Sequence, residues 1–320
     1  MKRIICFGGG NGVPKLMAEL KKYSLKICGV NSMVDNGGSA GQLRRDFDVL
    51  PPGDIRRHIL ALSEAPKWKK FLFEFRFGKE EFEIGHKGHN FANAFFAGLE
   101  VFFRDYKKVL KIVHEFMEVK KNCKALPATL DKVQLMAELE NGQIIEGEAE
   151  IDVPKKHNPN LKIKRLFLNK KAKIFSETKK EILKADLIVI GPGDLYSSLI
   201  PCFLIKGTKE AIKKSGAKKI FVANLMTKLG ETNGFSLLDF TKEIERYLKE
   251  KLDLVIFNNF FPQKKEIENY KKKHPELLEM VKIPKNLPKE KFIGKNLLLK
   301  GKIEHDFKKL AKLIVKILHS

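Results

Sequence analysis

The strand-like run Arg3-Ile4-Ile5-Cys6-Phe7 passes directly into Gly8-Gly9-Gly10-Asn11-Gly12, and this junction constrains the chain more than any other feature. A strand that ends in glycines and opens into a helix presents backbone N–H groups with no side chain in the way, and the positive end of the helix adds attraction for an anion. Pro14 stands where a first helical turn begins, with Leu16, Met17 and Leu20 following at helical spacing. A second apolar strand is expected at Lys26–Val30. Strand, helix and strand in this order open a parallel sheet. Gly9, Gly10, Asn11 and Gly12 are therefore candidates for holding a phosphate, with a simple tight turn as the alternative. The spacing matches neither G-x-G-x-x-G nor the Gly-Lys-Ser/Thr of a P-loop.

Further loops carry the same polar, glycine-rich chemistry. The segment 31–48 holds Asp35-Asn36-Gly37-Gly38-Ser39 just past the second strand, at the edge where open sheets bind ligands. Asp35 is a candidate for a divalent metal or for ligand hydroxyls, with Asn36, Gly37 and Ser39 beside it. Arg45 and Arg56, with Arg44 and Arg57, are candidate phosphate clamps, and Asp54 reads first as a helix cap. His86, His89 and Asn90 lack the ligand number of a zinc site, so a phosphate or hydroxyl contact is expected of His89 and Asn90. A third strand is expected to end at Gly191-Pro192-Gly193-Asp194-Leu195-Tyr196-Ser197-Ser198. There Gly191 and Gly193 free the backbone, Ser197 suits a phosphate or ribose, and Tyr196 offers a face to a base. Asn224 and Asn258 close the next two strands on the same edge. Structural alternatives stand beside each: capping for His89 and Asn90, core packing for Tyr196, surface contacts for the arginines. No spacing identifies a nucleophile, a Ser-His-Asp set or a glycosidase carboxylate pair.

Composition sorts the function classes. The formal charge of +23 invites nucleic acid, yet lysine supplies 53 of the 62 basic residues and is scattered along the chain. Six of the nine arginines fall within the first 80 residues, near the glycine loop, so local anion capture is the sharper expectation and nucleic acid is disfavoured. No apolar run is long enough to cross a bilayer and no leader pattern is visible, so no membrane insertion and a cytoplasmic location are expected. The four cysteines show no CxxC pairing and read as reduced thiols. The pattern predicts an α/β domain over 1–260, with a helical cover at about 68–117 and a hairpin segment at about 133–168. A single helix is expected over 203–213 and a short strand near 297–299, and residues 261–320 are expected as a Lys-rich segment that completes the domain. A homodimer is the default assembly.

The motifs GGGNG (8–12), DNGGSAGQLRRDF (35–47), LPPGDIR (50–56), KGHNFAN (87–93), LPAT (126–129), IGPGDLYSSLIP (190–201) and NLMTKLGETNGF (224–235) together resemble the YvcK/CofD-like family, over roughly 2–257. The resemblance implies a Rossmann-like, mostly parallel α/β fold of the CofD type. One branch is similar to 2-phospho-L-lactate transferase, which moves a phospholactyl-type group from a guanosine diphosphate carrier to a deazaflavin with a divalent metal such as Mg²⁺. The bacterial branch, often labelled gluconeogenesis factor, is similar to binders of UDP-sugars such as UDP-N-acetylglucosamine, or of dinucleotides such as NAD. That branch is linked with regulation of carbon metabolism, cell-wall synthesis and cell shape. By resemblance Gly9–Gly12 face phosphate, and Asp35 is the first of two neighbouring aspartates on the metal side. Here the second is Asn36, which removes a negative charge, and Asn11 stands where the family usually has threonine.

Overall fold

The computed structural model describes residues 1–78 and 88–320; His86 and Lys87 lie outside this range. The described strands, in chain order, are β1 (Arg3–Phe7), β2 (Lys26–Asn31), β3 (Cys123–Pro127), β4 (Leu135–Leu139), β5 (Ile144–Glu146), β6 (Ile163–Leu168), β7 (Leu187–Ile190), β8 (Lys218–Val222), β9 (Met226–Lys228), β10 (Leu254–Asn258), β11 (Leu277–Met280) and β12 (Phe292–Lys295). Seven of them form one parallel sheet in the order β12-β10-β8-β7-β1-β2-β3. Ile4 to Phe7 and Leu187 to Ile190 are buried, which is why these strands are apolar throughout rather than alternating.

Connectivity reverses at β1. The chain moves to β2 and β3 on one side, and to β7, β8, β10 and β12 on the other. The β1–β7 gap is therefore the switch point of the sheet, where diverging crossovers leave a crevice beyond the carboxyl ends of the strands. Register sets the level of that crevice: Phe7 pairs with both Val30 and Ile190, so Gly8, Asn31 and Gly191 lie side by side at the rim of the sheet.

Helix α1 (Gly12–Leu20) buries Val13, Leu16, Met17 and Leu20. It packs against α3 (Gly53–Leu62) and the last helix, Phe307–His319. Between them in sequence lies α2 (Gly38–Phe47). The expected cover forms as α4 (Lys67–Glu74), α5 (Phe91–Phe103) and α6 (Tyr106–Phe116). The expected hairpin, β4 with β5, gains β6 as a third antiparallel strand.

Three expectations change. Strand β3 was not foreseen, because CKALP carries a lysine and ends in proline; its outer position in the sheet tolerates both. The single helix expected over 203–213 is two, Pro201–Leu204 and Thr208–Ser215, separated at Gly207, whose φ of +99° interrupts helical geometry. A strand expected at 297–299 reduces to a bridge between Leu298 and His305, and the sheet's edge is β12 instead. All four cysteines are free and buried.

Candidate functional site

The glycine loop and the turn after β7 meet across the switch point. A Cβ added to Gly12 would sit 2.3 Å from the Pro192 carbonyl oxygen, so the two backbones touch only because position 12 has no side chain. Gly8 spends its N–H on Val30 O at 3.0 Å, and the first helical bond of α1 runs from Lys15 N–H to Asn11 O at 3.3 Å. The N–H groups of Gly12 and Val13 precede that bond and have no partner within the helix. Beside them opens a cavity of about 430 Å³, lined by Asn11, Gly12 and Lys15 on one wall and by Gly193, Asn224 and Lys228 on the next. Tyr270, His274 and Phe307, from the C-terminal segment, form its aromatic side. Asn224 donates from Nδ2 to Gly193 O at 2.9 Å, and its buried Oδ1 has no partner among the described residues.

Asp54 is not the cap of α3: Pro52 holds that position, and Asp54 stands inside the first turn and reaches back to the glycine loop. Its Oδ1 accepts the Gly10 N–H at 2.9 Å and pairs with Arg57 at 2.8 Å. A Cβ on Gly9 would fall 2.0 Å from its Oδ2. A carboxylate thus already sits against half of the glycine loop, leaving the Asn11–Gly12 end open to the cavity.

Behind the turn lies an acidic centre. Carboxylate oxygens of Asp152, Asp194 and Glu231 lie within 4.8 Å of one another. Asp152 ends α7 (Glu148–Asp152), and Asp194 and Glu231 come from the loops after β7 and β9. The Lys228 ammonium bonds Asp152, and stands 3.0 Å from Asp194 and 3.6 Å from Glu231. Ser197 Oγ lies 3.1 Å from Asp152 and 2.8 Å from Glu231, its one proton shared between them. The Tyr196 N–H donates to Glu231 at 2.8 Å. Burial pushes Glu231 up to about 7. Burial works to lower Lys228, but Glu231, Asp194 and Asp152 outweigh it and hold the ammonium charged. Burial, then Asp54, pushes Asp35 up to about 6. Burial, then Asp35 and Asp152, pushes Glu148 up to about 10.

Comparison with known proteins bears on all of this. Residues 4–293 match the family described as 2-phospho-L-lactate transferase CofD. The chain belongs to the CofD family. Among its relatives, the Gluconeogenesis factor of Halalkalibacterium halodurans is 38% identical over 244 residues, covering 76% of this chain and 73% of that protein. The Gluconeogenesis factor of Listeria monocytogenes is 33% identical over 258 residues, covering 80% of this chain and 77% of that protein. A solved UPF0052 family member from Bacillus halodurans is similar with a TM-score of 0.87 and 32% identity, covering 98% of each chain.

Within this CofD-family fold the residues singled out from sequence divide into groups. Gly9, Gly10, Asn11, Gly12, Gly193 and Asn224 come together at the switch point, and Gly191 donates its N–H to Phe7 O at 2.9 Å beneath them. Ser197 faces the acidic centre instead of the loop. Tyr196 does not offer a face to a base: it is buried, its hydroxyl donates to Glu243 at 2.8 Å and its ring meets the edge of Phe235. Asn36 spends its side-chain oxygen within the protein. Its Oδ1 accepts the Ala149 N–H at 2.9 Å, so its carboxamide fastens the loop to α7. Gly37 donates to Asp35 Oδ1 at 2.9 Å. Ser39, His89 and Asn90 make a separate polar cluster: Ser39 Oγ lies 3.2 Å from His89 Nδ1 and accepts the Asn90 N–H at 3.3 Å, while Asn90 Oδ1 caps α5. Arg45 is exposed and reaches only Asn36 O. Arg56 is buried in α3, its Nε without a partner among the described residues; burial, then Arg57, pushes it down to about 10.

Asp35 is not among the three carboxylates close enough to share a cation. Hard carboxylate oxygens suit Mg²⁺, but the Lys228 ammonium already meets all three, so a divalent ion does not fit while that lysine is in place. Glu148, Asp152, Lys228 and Glu231 were missed from sequence. The one available signal was Lys228 and Glu231 three apart inside the glycine-flanked run Lys228-Leu229-Gly230-Glu231.

Glu148 supplies a pH test. A carboxyl whose folded-state pKa lies above its unfolded value of about 4.3 keeps a proton that the unfolded chain releases, so stability falls as pH rises between the two values. For Glu148 that window runs up to about 10. Glu148→Gln should therefore be more stable than the parent at pH 8, by on the order of 2 kcal/mol, with the difference vanishing near pH 4.5. Urea melts at both pH values measure it.

Proposed function

We propose that the cleft binds a nucleotide-sugar such as UDP-N-acetylglucosamine, or a dinucleotide, and that binding serves a regulatory role in the cytoplasm, in carbon metabolism, cell-wall synthesis and cell shape. The observation that carries this reading is the open Asn11–Gly12 end of the glycine loop facing Gly193 and Asn224 across the switch point. Two amides at a helix start, with Lys15 beside them, favour a diphosphate. The aromatic wall of Tyr270, His274 and Phe307 is suited to the planar part of such a ligand. The gluconeogenesis-factor names of the relatives support the regulatory branch.

Phospholactyl-type transfer from a guanosine diphosphate carrier to a deazaflavin is the second reading, favoured by the family description. Calorimetry against UDP-N-acetylglucosamine, UDP-glucose, NAD and GDP, each with Mg²⁺ and with EDTA, separates the two. The first reading expects micromolar binding of a UDP-sugar or NAD that EDTA leaves in place. Silence of all four at millimolar concentration rejects it. GDP binding joined by Mg²⁺-dependent turnover of a deazaflavin moves the assignment to the second.

A further inference from the structure

On the helical cover, α4 shows water an unusual face. Trp68 is 60% exposed and Phe71 68%, and Phe75 and Phe77 continue the exposed series. Positions 68 and 71 follow the i, i+3 spacing of one helix side, and Phe75 stands at the C-cap just beyond the helix. The inward side is satisfied separately by Phe73, fully buried against Phe96. The outer rings form a connected aromatic edge, with Phe71 and Phe75 centroids 6.1 Å apart and Phe75 and Phe77 5.2 Å apart. Isolated exposed apolar residues need no explanation, but a contiguous aromatic edge does.

Charge around the edge narrows the occupant. Lys67, Lys69 and Lys70 share α4 with a single acid, Glu74. Lys69 Nζ lies 5.7 Å from the Trp68 ring and 2.7 Å from Glu118. Arg76, between Phe75 and Phe77, is exposed and adds a further cation. A second copy would bring an identical lysine-ringed edge on a chain of formal charge +23, which opposes self-association there. An anionic partner that accepts rings and ammonium groups together fits instead. Tryptophan settles at headgroup depth, phenylalanine at the acyl boundary, and lysine stems reach back to lipid phosphates.

We propose that the α4 edge, Trp68-Phe71-Phe75-Phe77 with its lysines, is a reversible docking surface for an anionic lipid bilayer. No described helix is long and apolar enough to cross a membrane, so docking is peripheral. The reading does not depend on what occupies the nucleotide cleft.

Trp68 is the chain's only tryptophan, so its emission reports on this edge alone. The full chain is titrated with phosphatidylcholine vesicles and with mixed phosphatidylcholine–phosphatidylglycerol vesicles. The expected result is a blue shift of Trp68 and co-sedimentation with the anionic vesicles only, both weakening as salt is added. Lipids brominated in their acyl chains should quench Trp68 in the intact protein, a readout independent of any variant. Phe71→Ser, with circular dichroism unchanged, should lower vesicle affinity about tenfold. Absence of vesicle binding at low salt overturns the proposal, as does equal binding to neutral vesicles. A lipid-free blue shift that grows with protein concentration alongside a dimer in size exclusion assigns the edge to a second copy and also overturns it.

Discussion

Gly10→Glu is expected to lower nucleotide affinity at least 100-fold, a loss of about 2.7 kcal/mol or more. Gly10 holds φ at +65°, and the atom nearest an added Cβ is Ser198 Oγ at 4.0 Å, so a side chain there projects into the space between the loop and the β7 turn. A glutamate would place a negative charge beside the helix start that attracts the ligand's own, next to Asp54, which already engages the loop. The left-handed backbone adds a folding cost of about 1–2 kcal/mol, visible as a melting temperature lowered by a few degrees. Gly10→Ala separates the two contributions: it carries the same backbone strain without the charge and should keep affinity within about tenfold. Calorimetry with UDP-N-acetylglucosamine measures both variants. Equal losses in the two would mean that strain in the loop, and not occupation of an anion site, governs binding.

The two halves of the site differ in how far the sequence reveals them. The loop from Gly8 to Gly12 and the turn from Gly191 to Ser198 are local patterns: an apolar strand, then glycines, then a helix start. Parallel pairing alone brings such ends to one edge, so their meeting follows from the strand order. The acidic centre has no such local signature. Asp152, Asp194 and Glu231 are ordinary polar residues in three separate loops or short helices, and only the docking of α7 against the β7 turn brings them within ligating distance. Asn36 shows the same limit. Its motif suggests a ligand-facing position, but its partner, the Ala149 N–H, lies 113 residues away on a segment whose placement no periodicity encodes. For Tyr196 the core-packing alternative holds, and the base-facing one fails for a different reason. Its neighbours Asp194, Ser197 and Ser198 imply an exposed loop, whereas a π-helical turn over Leu195–Leu199 buries all five of its residues.

Lys228→Met tests whether that hidden centre is held together by charge. The lysine side chain is 9% exposed, and methionine keeps most of its volume while removing the ammonium. Asp152, Asp194 and Glu231 would then face one another without a cation, and breaking a buried pair in this way costs about 3–5 kcal/mol. The pH dependence carries a definite sign. Without the ammonium, the carboxyls of Asp194 and Glu231, already raised by burial, are pushed further above their unfolded values, so the variant's folded state takes up protons that its unfolded state releases. The deficit relative to the parent should therefore be largest near pH 8 and shrink as pH falls toward 5, passing through the region where Glu231 already sits, about 7. Adding Glu231→Gln to Lys228→Met should recover part of the loss, because one of the opposed charges is gone. Freed of the ammonium, the three carboxylates also suit a hard divalent ion. Millimolar Mg²⁺ or Mn²⁺ should raise the melting temperature of Lys228→Met and leave the parent unmoved. A variant that melts like its parent at pH 8, with no response to metal, would show that the three carboxyls are already neutral in the folded protein and that Lys228 is not their counter-ion.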